Sequence, residues 1–261
     1  MEPINTLDIL RWRNGQWSRE KDIIIREHAF SLYLNGRKLN TMLATPEHLD
    51  ELALGYLKAE GYLASAADLE GLEVEANGDW VRVNLRPELL AQAQEGRRKF
   101  PGDRDDGDSV FYRLRDAQGL SPVTSDLTIS PATISLLATE LEEYSWLFQK
   151  TGGVHGAALA DEKGKITLFR EDIGRHNAID KVVGRCLLEA LDCQNKIFLT
   201  SGRVSFDTMV KTIKLGVPVV LSISAPTTMA VQMARRSRVT LVGFARGKRF
   251  NVYSGEGRLG I

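Results

Sequence analysis

Two hydrophobic patterns divide the chain. In its first third, short stretches of alternating apolar and polar residues are punctuated by Asn-Gly. Ser31-Leu32-Tyr33-Leu34, then Asn35-Gly36, then residues 37–43 predict a hairpin, because Asn-Gly supplies the positive φ angles of a type I′ turn. Residues 72–76, Asn77-Gly78 and residues 79–85 repeat that grammar. Between the hairpins, Thr45 predicts an N-cap with Pro46 at the first helical position. Leu49, Leu52, Ala53, Tyr56 and Leu57 follow at helical spacing, and Gly61 ends the helix. Farther on the pattern changes. Ser130 or Pro131 opens a helix through Leu137, Leu141, Tyr144 and Phe148, and short apolar runs then alternate with helical ones. Candidate strands are 156–159, 166–169, 197–200, 217–222 and 239–244, with helices over 178–189, 207–215 and 227–237. That alternation predicts an α/β domain, a mainly parallel sheet flanked by helices on both faces.

Between the two patterns, Arg97-Arg98-Lys99 runs into Pro101-Gly102-Asp103-Arg104-Asp105-Asp106-Gly107-Asp108, a charged, turn-rich segment with almost nothing to bury. The expected organisation is therefore a smaller N-terminal α+β part built on hairpins (1–97), a mobile loop or linker (98–126) and a C-terminal α/β domain (127–261). The charge balance, Lys+Arg 34 against Asp+Glu 34, gives no electrostatic case for nucleic acid or a membrane surface. Locally it is uneven. From Arg235 onward, Arg235, Arg236, Arg238, Arg246, Lys248, Arg249 and Arg258 face one acid, Glu256, which suits a phosphate-bearing small molecule. The first residues do not read as a secretory signal, and no apolar run approaches the roughly 20 residues needed to cross a bilayer. The two cysteines, Cys186 and Cys193, read as partly buried thiols in a reducing compartment, so a cytoplasmic protein is expected.

The polar residues that could carry chemistry cluster where the predicted strands end. The densest cluster is Arg170 to Lys181, with Glu171, Asp172, Arg175, His176 and Asn177 around Gly174. The others are Thr151-Gly152-Gly153-Val154-His155, Ser201-Gly202-Arg203, Ser224 with Ala225-Pro226-Thr227, and Phe244-Ala245-Arg246-Gly247-Lys248-Arg249. Each taken alone has a plainer reading, as a turn, a helix cap, a structural histidine or a solvated face. Together they fall at one predicted edge, where open α/β sheets bind ligands and helix N-termini favour anions. Several chemistries are excluded. The chain has no G-x-x-x-x-G-K-S/T, no G-x-G-x-x-G after a strand, no G-x-S-x-G and no zinc-ligand spacing.

The ordered motifs T-G-G-V-H-G-A-A-L, E-D-I-G-R-H-N-A-I-D-K, S-G-R-V-S-F-D, S-A-P-T-T-M-A and G-F-A-R-G-K-R-F-N-V-Y closely resemble those of the FdhD family of formate dehydrogenase accessory proteins. The resemblance covers nearly the whole chain. It implies a cytidine-deaminase-like fold, a homodimer, and transfer of sulfur from a cysteine desulfurase to the molybdenum bis-molybdopterin guanine dinucleotide cofactor of formate dehydrogenase. It implies too that residues 244–249 hold the guanine dinucleotide, with GDP as a mimic. In one respect the chain departs from the family, whose sulfur-carrying cysteine lies in the loop before the T-G-G-V-H motif. Residues 98–125 contain no cysteine, and persulfide chemistry needs a thiolate that serine or aspartate cannot replace. Two functions follow as expectations: the family's sulfur transfer, or a cofactor chaperone that binds without transferring sulfur. A nucleotide-processing enzyme using His155, Glu171 and His176 is a third.

Overall fold

The computed structural model describes residues 1–90, 117 and 119–260. Most of the segment expected to be a loop, up to 116, lies outside them. From Gly119 the chain runs along the C-terminal core, where Val123 is buried and its N–H donates to Ser237 O at 2.9 Å.

The chain begins with a two-stranded ribbon, β1 (Ile4–Arg13) and β2 (Gln16–Ile25). Its turn is Asn14-Gly15, with φ of 50° and 83°. A four-stranded sheet follows in the order β4-β3-β6-β5, from β3 (His28–Leu34), β4 (Arg37–Ala44), β5 (Leu69–Val74) and β6 (Trp80–Leu85). Asn35 and Gly36 both take positive φ, as the type I′ turn requires. At the second hairpin only Gly78 does. There the Glu75 carboxylate accepts from the N–H groups of Asn77 and Asp79, at 2.8 and 3.3 Å, and closes a five-residue loop over 75–79.

Helix α1 (Leu49–Ala59) packs Leu49, Leu52, Ala53 and Leu57 onto Phe30, Leu32, Val81 and Val83 of this sheet. Its N-cap is His48 in the left-handed region, φ 54°, without a side-chain cap. Thr45 does not cap it, because its hydroxyl is engaged by Asp172 and Lys181, far along the chain.

The larger unit is a six-stranded sheet of order β12-β11-β10-β9-β7-β8. Its strands are β7 (His155–Ala160), β8 (Ile166–Asp172), β9 (Ile197–Thr200), β10 (Val219–Ser222), β11 (Thr240–Arg246) and β12 (Arg249–Ser254). β9, β10 and β11 run parallel, as the strand–helix alternation predicts. β7 runs against β8 and β9, and β12 against β11. The links β7–β8 and β11–β12 are short turns, which permit only antiparallel pairing, so the sheet as a whole is mixed.

Helices α4 (Arg175–Leu188), α5 (Phe206–Lys214) and α6 (Thr228–Arg236) bury Val182, Met209, Ala230 and their neighbours against one face of the sheet. Helix α2 (Pro131–Tyr144) buries Ile134, Leu137 and Leu141 against the other. Ser130 caps α2, its Oγ accepting from Thr133 N at 3.0 Å, with Pro131 first in the helix. The expected continuation through Phe148 breaks at Ser145, and α3 (Trp146–Thr151) restarts there.

The two units meet where α1 crosses α4. A Cβ on Gly55 would lie 1.9 Å from Asp180 O, and one on Gly184 would lie 1.9 Å from Glu51 O. Each helix thus offers a glycine to the other's backbone. Beside the crossing, Glu51 is buried and receives a bidentate pair from Arg170, Nε at 2.5 Å and Nη2 at 2.7 Å. No helix among the described residues is long and apolar enough to cross a membrane.

Candidate functional site

Strand direction decides where the polar clusters go. β8, β9, β10 and β11 end at one edge of the sheet, and β7 and β12 begin there. The register pairs His155 with Asp172, Ala157 with Thr200, and Arg246 with Arg249. Gly152, Gly153, His155, Glu171 to Asn177, Ser201 to Arg203, Ser224 and the segment 244–249 therefore share one edge. Five strand spacings separate β8 from β12, so the edge is about 24 Å long. Two cavities of about 420 and 470 Å³ lie elsewhere, the first beside Arg235 and Arg258, the second beside Arg170 and Lys196.

The 170–181 cluster turns mostly inward. Asp172 is fully buried. Its Oδ2 accepts from Thr45 N at 3.0 Å and Thr45 Oγ1 at 2.9 Å, and lies 2.7 Å from Lys181 Nζ. Its Oδ1 accepts from Gly174 N and Asn177 Nδ2, each at 2.9 Å. Asn177 also donates to Leu43 O at 2.8 Å, and Lys181 donates to Thr45 Oγ1 at 2.5 Å and Glu171 O at 3.1 Å. Burial lowers the Lys181 pKa, and the Asp172 charge opposes that fall. Glu171 caps α3: its carboxylate accepts from Ser145 Oγ and from Leu147 N and Phe148 N, at 3.1 and 3.3 Å. Asp172, Asn177 and Glu171 are thus committed to holding the end of β4, the end of β8 and the start of α3 together. The signal for this was the run of donors and acceptors itself, but its partner Thr45 lies 127 residues away in sequence from Asp172.

Arg175 and His176 sit in the first turn of α4, whose N-cap is Gly174 without a side-chain cap. The other two helix starts at this edge are capped, α5 by Ser205 and α6 by Thr227. Arg175 Nε is buried with no hydrogen-bond partner among the described residues. Beneath this side chain lies Gly202, where a Cβ would come 2.9 Å from Arg175 Cβ. Ser201 Oγ accepts from Gly156 N at 3.0 Å and lies 3.2 Å from His155 Nδ1. Burial first, and the Arg175 charge second, lower the His155 pKa below 6.5. His155 is therefore a neutral hydrogen-bonding group near pH 7 rather than a cation.

The two glycines before His155 shape the chain. Gly152, at φ 66°, is the C-cap of α3, and a Cβ on Gly153 would meet Ile25 Cγ2 at 2.8 Å.

At the far end of the edge, Phe244 sits in a β-bulge with φ 53°, and the residue is 46% exposed. A left-handed phenylalanine is a strained conformation. Here it is fixed by Phe244 N donating to Ser224 O at 2.9 Å. Ala245 turns into the core on the α2 side, so its side chain cannot face a ligand. Arg246 donates to Ile223 O at 3.2 Å, and Gly247 makes the turn into β12 with open space around it. Arg203, Arg246, Lys248 and Arg249 are all exposed, and none has a carboxylate partner among the described residues. The edge thus presents four exposed cations beside His155 and His176, and guanidinium and ammonium groups of this kind donate well to anionic oxygens.

Residues 25–260 match the model of the FdhD/NarQ family. The sulfur carrier protein FdhD of Bacillus subtilis is 37% identical over 253 residues, 97% of this chain and 96% of that protein. Its counterpart in Geobacillus kaustophilus is 37% identical over 251 residues, 96% of this chain and 95% of that protein. Among solved structures, a chain described as a formate dehydrogenase accessory protein from Desulfotalea psychrophila matches with a TM-score of 0.80 and 25% identity, covering 99% of this chain and 100% of that one. On the match to the family model over residues 25–260 and these similarities along nearly the whole chain, the chain belongs to the FdhD/NarQ family.

Proposed function

We propose that this chain is an accessory protein of formate dehydrogenase maturation that binds the molybdenum bis-molybdopterin guanine dinucleotide cofactor along the strand-end edge and carries no sulfur on a thiol of its own. The observation that supports the binding is the set of cations at that edge, Arg203, Arg246, Lys248 and Arg249, without carboxylate partners among the described residues. The buried Nε of Arg175 adds an orphan donor to this set. Such donors fit the diphosphates of a dinucleotide, and Phe244 offers an exposed ring beside them. The protein would grip the cofactor by its phosphates and bases. The bound cofactor would supply the molybdenum that a formate dehydrogenase uses; this chain's residues would bind and orient it. GDP, which carries the same guanine and diphosphate, is expected to bind with micromolar affinity in calorimetry. Absence of saturable binding contradicts the reading.

The sulfur step is argued from the thiols. Cys186 and Cys193 are the chain's only cysteines, and both are buried. Cys193 precedes the start of β9, at the end of the sheet opposite the cationic edge, and Cys186 lies on the last turns of α4. Contact with Cys193, together with burial, pushes the Cys186 thiol up, and the same contact lowers that of Cys193, so of the pair only Cys193 favours a thiolate, and it is buried. Family membership favours a second reading, in which a cysteine desulfurase loads one of these cysteines. Incubation with a desulfurase and sulfur-labelled cysteine decides between the two. The first reading predicts an unlabelled chain, and a stable persulfide on Cys186 or Cys193 supports the second.

A homodimer is proposed through the β1–β2 ribbon. Trp12 and Trp17 pack as a tilted pair with ring centroids 5.0 Å apart and remain 54% and 63% exposed, next to exposed Leu10. Their cover would be the same apolar tip on a second copy. Light scattering should report a dimer for the native chain and a monomer for Trp12→Ser/Trp17→Ser. An unchanged mass in the variant would remove the ribbon from the interface.

A further inference from the structure

Three arginines converge at the opposite end of the sheet from the cationic edge, around a cavity of about 420 Å³. Arg235 and Arg238 come from the end of α6 and the turn after it, and Arg258 from the 3₁₀ turn that follows β12. Tyr253, Ser254 and Gly255 complete much of the wall. The guanidinium groups contact neutral acceptors. Arg235 Nε donates to Tyr253 O at 3.2 Å, and Arg258 donates to Arg238 O at 2.9 Å and Ser125 O at 3.4 Å. No carboxylate pairs with any of the three among the described residues, and Arg258 Nε is buried without a partner. One acid, Glu256, lines the cavity. Burial also lowers the Arg258 pKa, the mark of a guanidinium without a compensating anion.

Concentrating three like charges around one concave space is unfavourable unless an anion joins them. Planar guanidinium forks match the oxygens of phosphate, and three of them exceed what a single carboxylate neutralises. The cavity has the size of a small-molecule site. We infer that the cavity lined by Arg235, Arg238, Arg258 and Tyr253 is a second anion site, separate from the cofactor edge, that takes a small phosphate-bearing molecule. β11 runs between the two sites, and its seven residues place them roughly 20 Å apart.

Pyrophosphate is the probe, titrated calorimetrically into the full chain in 150 mM sodium chloride, about the ionic strength that screens weak surface attraction. Arg235 and Arg238 are exposed, so Arg235→Gln/Arg238→Gln should fold normally, which circular dichroism checks. Saturable binding that weakens at least tenfold in this double variant is the expected result. No saturable binding by the native chain overturns the inference. Equal affinity in the native chain and the double variant does so too. A loss confined to Arg246→Ala would also overturn it, by moving the phosphate to the cofactor edge. GDP affinity, read separately, tests the proposed function independently of this site.

Discussion

Gly184→Ala is expected to lower the unfolding free energy by about 3 kcal/mol, the upper range for forcing a methyl into filled space. The added Cβ would stand 1.9 Å from Glu51 O. That atom belongs to the backbone of the facing helix and cannot swing aside as a side chain would. Relief requires α1 and α4 to separate, which uncovers Leu187 and the Leu52, Leu54 and Leu57 cluster it joins. Gly55→Ala makes the same collision from the other side, against Asp180 O. Urea unfolding followed by circular dichroism reads the loss in each variant. A stability within about 1 kcal/mol of the native chain would mean that the crossing is looser than these distances require.

Asp172→Asn is expected to cost about 3–5 kcal/mol, the typical penalty for leaving one member of a buried ion pair uncompensated. Lys181 and Asp172 are both fully buried, with Nζ and Oδ2 2.7 Å apart. The substitution keeps the volume but removes the charge that holds the Lys181 proton, and it puts an amide donor among donors. Thr45 N, Thr45 Oγ1, Gly174 N and Asn177 Nδ2 all point at this carboxylate. Adding Lys181→Met should recover part of the loss, because the buried charge then disappears. Urea unfolding of the single and double variants tests this. A double variant less stable than Asp172→Asn alone would mean that Lys181 contributes mainly through its own hydrogen bonds.

Those two variants concern the densest polar run in the chain, and they show why its reading from sequence was incomplete. Residues 170–181 look like a ligand wall because they mix donors, acceptors and charges at a strand end. The strand end is where the fold puts them. What the run faces, however, is Leu43 and Thr45 of the N-terminal unit, and nothing local announces a partner so far away in the chain. For the same reason Thr45 reads as a helix cap until Asp172 and Lys181 claim its hydroxyl. Local signals served well where local chemistry decides the structure. Asn35-Gly36 forms its turn, Ser130-Pro131 starts its helix, and the strand–helix alternation sends the clusters to one edge. Asn14-Gly15 carried the same turn signal as Asn35-Gly36, and the ribbon it closes was readable from it. β12 was hidden in a basic stretch whose alternation is weak, and Ala245 was grouped with the ligand residues although strand alternation turns it to the core.

The central claim is that the ligand is held by the cations at the strand ends, Arg175 among them, rather than by Glu171, Asp172 and Asn177, which are committed to holding the fold together. Calorimetric titration of GDP into the native chain, Arg246→Ala and Arg249→Ala tests it most directly. Each variant removes a charge-assisted phosphate contact worth about 1.5–3 kcal/mol, so affinity should fall about tenfold or more. Unchanged GDP affinity in both variants would contradict the placement of the site.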